Sequence, residues 1–561
     1  MEPATIAAQL REISVYFELE GDKHRALAYD RAAKSIEAAA GLHRLLEEGR
    51  LEELPGVGPS IARVVGDLAR RGNTAVLERL RAQWPAILVE LAQLPKVGAQ
   101  KARKLHAAIA PADLEAVAAA CRAGLVRDLA GFGAVSEQKI LQAIEERHLR
   151  GTRILLVDAT DQARSLALHL RASDAADRVE IAGPVRGALE IVEHLAFAVS
   201  SEQPGAVVDR LASFALVTSV DRSAMPVVAF LAGGLRAEVW IAPPLRFGWA
   251  YVQATGSPAH VAGLRARAAD RGLDLDRLDA RDEALVYRAV ALPWLPPEVR
   301  DGTDELAAAA AGDDFSDLVT EEDLTCAVHC HTTYSDGRNT IAEMAQAAAE
   351  RGFQAITITD HSANAGYAGG LTAERLRAQR AEIDELRASA PVRLLHGTEA
   401  DILADGALDV PPEVLAELDL VIASVHQRYK LDEDAMTARL VAAMRQPHFK
   451  IWGHALGRLV LRRDPIPVRL DEILDAAAEN GRCAIEINGD PYRLDMDPVS
   501  ARRAVARGLP FVLSSDAHST TGLAASRWAV AMARRARIRK HHVLNTLPPA
   551  DLADRLAPRP G

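Results

Sequence analysis

Histidines and acids recur after Asp323 at the ends of short apolar runs. TCAVHCH carries His329 and His331, with Asp336 just beyond it. QAITITDH ends in Asp360 and His361, RLLHGTE in Glu399, DLVIASVH in His426, KIWGH in His454, and FVLSSDAH in Asp516 and His518. A lone histidine at such a place is ordinarily a hydrogen-bonded structural residue. Six histidines with Asp336, Glu399 and Asp516 are not, because ionisable groups buried without partners are costly. Divalent cations remove the conflict. Mixed imidazole and carboxylate ligands suit Zn, Mn or Fe rather than Ca or Mg alone, and so many ligands exceed the needs of one tetrahedral zinc. Two or three ions are expected. Such ions polarise a phosphoryl group, lower the pKa of a water and stabilise a leaving oxygen. Phosphoester hydrolysis is the reaction class, with His331, Glu399, His426 and Asp516 as its candidate catalytic residues. No Ser-His-Asp spacing competes with it.

The elements that must position these residues are legible around them. Each run reads as a strand, CAIEING adds one more, and amphipathic stretches such as IAEMAQAAAERG and LDEILDAAAENG lie between. Seven strand–helix units over residues 323–561 predict a distorted (β/α)7 barrel, with an open doubly wound sheet as the alternative. In a barrel the C-terminal strand ends form one rim, where side chains far apart in sequence converge. Alternation along a strand puts His329 and His331 on one face and Cys330 on the other, as core. Asp516 and His518 repeat the spacing.

Residues 1–150 read as helical: a small domain over 1–80 and a second region over 81–150. Gly56 and Gly58 in LPGVG, Lys96 and Gly98 in LPKVG, and Gly131 and Gly133 in LAGFG each precede a helical run. A Gly-x-Gly turn feeding a helix offers backbone N–H groups to a phosphate, and Lys101, Arg103 and Lys104 add charge. Three copies point to helix-hairpin-helix binding of a DNA backbone without base readout, against a purely structural repeat. Residues 151–245 turn to strands such as RILLVDA, RVEIAG, LAFAVSS and VVAFLAG, with a helix around Ala163–Leu170. Residues 246–305 are mixed, and 306–322 read as a solvated, acidic, Ala-rich helix and linker.

VHCHTTYSDG, ITDHS, GTEADILADGALD, IASVH, GHALGR, EINGDPYRLD and SSDAHS together resemble the polymerase-and-histidinol-phosphatase (PHP) domain, as it is attached to bacterial family X DNA polymerases. FELEGDKHRALAYDRAAKSIE resembles the small N-terminal domain of those enzymes, so the likeness spans nearly the whole chain. It implies a trinuclear centre: one ion on His329, His331, Glu399 and Asp516, a second on Glu399, His426 and His454, a third on Asp336, His361 and His518. Arg458 and Arg463 are candidate phosphate contacts, against a reading as plain surface arginines. The resemblance also implies a polymerase palm over 151–245 and a thumb-like region over 246–305. There the chain departs from the family. Gly183-Pro184-Val185-Arg186-Gly187 replaces the Gly-Ser and following arginines. By spacing, the metal-binding aspartates fall on His194, Ala196 and Glu238. Pro184 lacks a hydroxyl and an N–H, Ala196 offers no ligand, and His194 suits Mg²⁺ poorly. Thr255, Ser257 and His260 keep a nucleotide-pocket pattern. If the spacing slips, Glu190, Glu193 and Glu238 would carry Mg²⁺ or Mn²⁺ instead.

The expected activity is therefore a metal-dependent 3′→5′ exonuclease of DNA repair, with cleavage at abasic sites as a further activity. Its DNA is gapped, nicked or 3′-ended. The rivals are an active gap-filling polymerase with proofreading, a phosphatase of a small metabolite, and a non-catalytic scaffold. Net charge is −11 for 561 residues, but unevenly spread: residues 1–150 hold 21 basic and 20 acidic residues, the remaining 411 hold 45 and 57. That excludes a uniformly basic nucleic-acid binder while allowing a local patch. Four cysteines, none in CxxC spacing, exclude a disulfide scaffold. No membrane span or signal peptide is read, so a cytoplasmic protein is expected.

Overall fold

The computed structural model describes residues 3–38, 46, 49–71, 74–92, 94, 97–151 and 153–557. They form two compact units, Met1–Gly151 and Thr152–Gly561. Among the described residues no helix is long and apolar enough to cross a membrane.

The first unit is helical. Pro3–Glu20 and Lys23–Ala38 pair around Ile6, Leu10, Ile13, Phe17, Ala33 and Ile36. Gly56, Gly98 and Gly131 have φ of +79°, +59° and +94°, left-handed backbone that glycine adopts without strain. They lead into or open the helices Pro59–Arg71, Gly98–Ile109 and Ala134–Gly151. Gly58 and Gly133 have open space where a side chain would stand. Lys96 lies outside the described residues. Lys101 Nζ sits 5.4 Å from the Phe132 ring centre, so the second and third hairpins adjoin. Lys104 is exposed beside Gly131. Arg103 lies over Trp84 and donates to the Leu19 carbonyl.

The second unit begins with a five-stranded sheet in the order Arg178–Ala182, His194–Ser200, Arg236–Ala242, Val227–Leu231, Val217–Asp221. RILLVDA, expected as a strand, is one only at Ile154–Leu155; a helix, Leu156–Arg171, takes over. Leu156, Ala159, Ala163, Leu166 and Leu170 are buried at three- and four-residue spacing. The short apolar run was thus the first turn of a helix. The segment 306–322 also differs from expectation. Its α-helix is confined to Glu305–Ala310, with a 3₁₀ turn at Glu321–Asp323, and Glu305, Ala309, Phe315, Leu318 and Val319 are buried. Arg539 pairs with Asp313 and Asp317. The acidic stretch is a strap: Ala309, Phe315 and Leu318 pack with Trp249, Tyr287 and Leu295, while Val319 and the Arg539 pairs tie it to the barrel domain.

Seven parallel strands then close a barrel: β1 Cys326–Cys330, β2 Ala355–Ile358, β3 Arg393–Asp401, β4 Leu420–Ser424, β5 Ile451–Trp452, β6 Ala484–Asn488 and β7 Phe511–Ala517, each beside the next and β7 beside β1. Inside, Cys326, Val328, Leu420, Ile422, Ile451 and Val512 pack with Leu544, Leu552 and Leu556. The last helix, Pro549–Leu556, thus plugs the end where the strands begin.

Simple alternation fails on β1. Cys326 and Val328 face inward, so His329 should face out. Instead Ala327 and Cys330 both face the helix Ile341–Glu350. The register against β2 slips between Ala327 and Cys330, and His329 has φ of +63°. This bulge turns His329 inward beside His331. Cys330 is core, as expected. Asp516, at φ +49° beside a register slip on β7, is aimed the same way.

The turn after β1 carries Asp336. Gly337 N donates to the Thr332 carbonyl at 3.0 Å and Arg338 N to the His518 carbonyl at 2.8 Å. A Cβ on Gly337 would meet the His331 carbonyl oxygen at 2.5 Å, backbone that cannot rotate away. Gly337→Ala is therefore expected to cost about 1–3 kcal/mol and to weaken metal uptake through Asp336. Denaturant midpoints and metal titration of the full chain check both effects.

Candidate metal centre

The strand ends bring all nine predicted ligands together. Glu399 lies at the middle. Its Oε1 is 2.8 Å from His454 Nε2 and 3.2 Å from His426 Nε2. Its Oε2 is 2.9 Å from His361 Nδ1, 3.4 Å from His329 Nε2 and 3.8 Å from His331 Nε2. Asp516 Oδ1 is 3.3 Å from His331 Nε2. Asp336 faces His518 Nε2 at 3.4 Å and His361 Nε2 at 3.7 Å. Three groups have ligand atoms within 4.8 Å of one another: His331, Asp336, His361 and His518; His329, His331 and Asp516; His361, Glu399 and His426. The expected partition differs slightly. Here His331 and His361 each face two groups, and His454 approaches Glu399 from outside the third.

The donor atoms fit cations. Both carboxylate oxygens of Glu399, both ring nitrogens of His331, and His329 Nε2, His361 Nδ1 and His426 Nε2 are buried without a hydrogen bond among the described residues. In three rings the second nitrogen is tied. His329 Nδ1 meets Glu486 at 2.5 Å, His426 Nδ1 meets Asp401 at 2.5 Å, and His518 Nδ1 meets the Asp516 carbonyl at 2.9 Å. A carboxylate holding one nitrogen leaves the other's lone pair aimed at a metal.

Charge balance points the same way. Burial would raise Glu399, but His426, His329 and His361 hold its carboxyl well below the ordinary value. Asp516 is likewise held far down against burial by His329, His331, His518 and Arg493. Burial, with the neighbouring imidazoles, pushes His331 down to about 4. His426 rises to about 10 despite burial, because Glu399 and Asp401 flank it, and Asp336 and Asp516 lift His518 to about 9. Without cations the acids are balanced by protons on some imidazoles. Cations would displace those protons.

Several residues escaped sequence reasoning. Glu486 also accepts from the His454 backbone N–H, and Asn488 donates to Asp516 at 3.0 Å. They stand two apart on β6, the same spacing as His329 and His331, which was the available signal. Arg493, in the EINGDPYRLD segment, has Nε 3.5 Å from Asp516 Oδ2, and its buried Nη1 has no hydrogen bond among the described residues. Arg458, expected to contact phosphate, is instead committed: it donates to Glu190 at 2.6 Å and to the Leu494 carbonyl. Arg463 donates to the Gly457 carbonyl and lies over Tyr429.

The PHP domain family matches residues 327–489. A helix-hairpin-helix domain matches 1–74 and a SAM-like helix-hairpin-helix tandem 88–146. The DNA polymerase/3′-5′ exonuclease PolX of Bacillus subtilis (strain 168) is 32% identical over 561 residues, 97% of each chain. This chain belongs to the PHP-bearing family X DNA polymerases. Probable phosphatases of Caldanaerobacter subterraneus subsp. tengcongensis and Thermoanaerobacter sp. (strain X514) are 32% and 30% identical over 35% and 40% of this chain, and 76% and 91% of their own.

The sheet expected as a palm brings the candidate positions together with other residues on them. Ala196 is paired with Glu238 across neighbouring strands, and His194 Nε2 is 3.9 Å from Glu238. A Cβ on Gly183 would lie 2.6 Å from that of Ala196, so the methyl fills the cradle beside the Gly183 turn. Arg186 is not free for a triphosphate. It forks onto Glu283 at 2.7 Å, donates to Thr255 and lies 3.8 Å from the Tyr251 ring centre. Arg300 grips Glu283 as well. His260, expected in the nucleotide pocket, is buried between Glu305 and Tyr287 at 2.6 and 2.8 Å. Glu190, the alternative metal ligand, is held by Arg458 and Arg535.

Two measurements follow from this geometry. Mn²⁺ uptake by the full chain is expected to release protons from His426 and His518 and to weaken as pH falls, with Glu399→Gln binding fewer ions. Calorimetry in buffers of different ionisation enthalpy reads the protons, and metal analysis the ions. Separately, Glu283 is held at about 2, against burial, by Arg186 and Arg300, below its ordinary 4.5. Its contribution is complete above about 4.5 and is lost as pH falls toward about 2. Glu283→Gln should cost about 3–5 kcal/mol at pH 7 and flatten the acid limb of stability in denaturant titrations.

Proposed function

We propose that the chain is a DNA 3′→5′ exonuclease working through its PHP barrel, with DNA polymerisation absent or very weak. The observation that carries this is the contrast between two sites in one chain. Nine converging candidate ligands, several with unbonded donor atoms and His329 and His426 backed by carboxylates, support a full metal centre on the barrel. The palm offers an imidazole, a methyl and one acid.

The three-ion partition that the resemblance implies is the working assignment, with Mn, Zn or Fe as the metals. Cations held there supply Lewis acidity toward a phosphodiester and activate water for attack. The residues themselves do the rest. His329, His331, His361, His426, His454 and His518 present imidazole lone pairs, and Glu399, Asp336 and Asp516 balance the charge. Glu486 and Asp401 fix ring orientation. Arg493, with a free Nη1 beside Asp516, suits a phosphate oxygen. Tyr367, 71% exposed, has its ring centre 6.1 Å from that of His361 and 6.4 Å from that of His426, so an aromatic face stands at the mouth for a terminal nucleotide. The helix-hairpin-helix turns of the first unit are the DNA-backbone contacts, indifferent to sequence. They also favour DNA over the small molecules that a phosphatase reading would require.

A labelled gapped duplex with Mn²⁺, with and without dNTPs, tests the proposal. Shortening is expected, and His331→Ala should abolish it while DNA binding survives. Retained shortening would sink the barrel assignment. In the His331→Ala background, extension with Mg²⁺ should stay at the no-enzyme level; robust extension would overturn the loss of polymerisation. Binding should weaken with salt, by about −0.9 in the log–log slope for each phosphate neutralised, equally on unrelated sequences. A flat slope would count against the hairpin contacts.

A further inference from the structure

The palm that has lost its ligands still carries an acid that reaches the barrel. Glu190 follows Leu189 in the segment leading to the strand His194–Ser200. Its Oε1 accepts from Arg458 Nη2 at 2.6 Å and its Oε2 from Arg535 Nη1 at 2.7 Å. The three side chains are 17%, 13% and 20% exposed. Both arginines belong to the barrel domain, and Arg535 ends the helix Ser526–Arg535.

Arg458 lies four residues beyond His454. The loop from His454 to Val460 is tied through several backbone N–H groups. Gly457 N donates to the His454 carbonyl at 2.8 Å. Leu456 N and Arg458 N donate to the buried Asp495 carboxylate, and Val460 N donates to the Tyr492 carbonyl at 2.7 Å. The same Arg458 nitrogen that meets Glu190 also meets the Leu494 carbonyl, next to Arg493, whose guanidinium faces Asp516. One guanidinium therefore ties the palm to two loops, one carrying His454 and the other Arg493.

The geometry points to Glu190 as a positioning residue of the barrel's metal centre: it fixes Arg458, and through it the loops that aim His454 and Arg493. This rests on the nuclease reading above and adds a role for the palm in it. Removing the carboxylate takes away the charge that Arg458 and Arg535 share in a largely buried place, leaving Arg458 with the buried Asp495 nearby. The loops can then shift, and small errors in ligand placement are costly in rate.

Full-length Glu190→Gln and Glu190→Asp, with the exposed palm residue change Glu202→Gln as control, are compared with the parent chain by Mn²⁺ titration and by steady-state shortening of a 3′-ended duplex. Glu190→Gln should lose about 10–100-fold in kcat or in Mn²⁺ affinity, the range for groups that orient ligands, with the KM for DNA little changed. Glu190→Asp should recover part of the loss, and Glu202→Gln should behave as the parent. Unchanged kcat and Mn²⁺ affinity in Glu190→Gln, or a rise in KM alone, overturns the role. If Glu190→Gln does not fold, Arg458→Lys replaces it. Lysine keeps the charge opposite Glu190 but is shorter and lacks the rigid planar head that holds one nitrogen between Glu190 and the Leu494 carbonyl, so the same loss is expected, and parent-like kcat and Mn²⁺ affinity overturn the proposal. A parent chain that binds Mn²⁺ yet leaves DNA intact overturns the nuclease reading instead; the Mn²⁺ titration of Glu190→Gln then still decides whether Glu190 positions the site.

Discussion

Glu399 is a carboxylate almost wholly removed from water, with neither oxygen hydrogen-bonded among the described residues. A buried charge of that kind stands only where opposite charge surrounds it. Much of the barrel answers that demand. Parallel strands put their C-terminal ends on one rim, so imidazoles from β1, β2, β4 and β5 can face a single acid on β3. The rim alone is not enough. The left-handed residue in β1 turns His329 toward the acid, and Glu486 then holds the ring from behind.

The surplus of acid in the C-terminal part has two uses. A few carboxylates gather inward at the rim. Many others pair outward with arginines: Asp301 and Asp304 with Arg502 and Arg537, Glu298 with Arg534, Asp313 and Asp317 with Arg539. These pairs run between residues 298–317 on one side and the barrel domain on the other. Several are half-buried, and together they form a network, where single exposed pairs would contribute little.

The barrel was legible because its strands are short apolar runs ending in chemically distinctive residues, and seven of them fit one closed sheet. The convergence of the nine candidate ligands was legible for the same reason. Its orientation was not: period-2 alternation predicts the correct face for His329 and His331 only because a bulge restores what strict alternation from Val328 would lose. Arg458 was misread because a guanidinium near a strand end looks the same in sequence whether it meets a phosphate or Glu190. RILLVDA was misread because four apolar residues carry no period. The strap over 306–322 looked solvated because its acids dominate the composition, while Phe315, Leu318 and Val319 decide its fate.

The helix Pro549–Leu556 stoppers the barrel opposite the rim, which leaves the metal centre a blind alley rather than a tunnel. A polymer cannot thread a blind alley. It must present a terminus or bend a loop into the opening, and whatever is clipped off has to back out past the strand that remains. For the reaction proposed here, cutting and advancing would then take turns, one departure before each new arrival, and the pace of the whole would be open to control by how quickly the mouth clears.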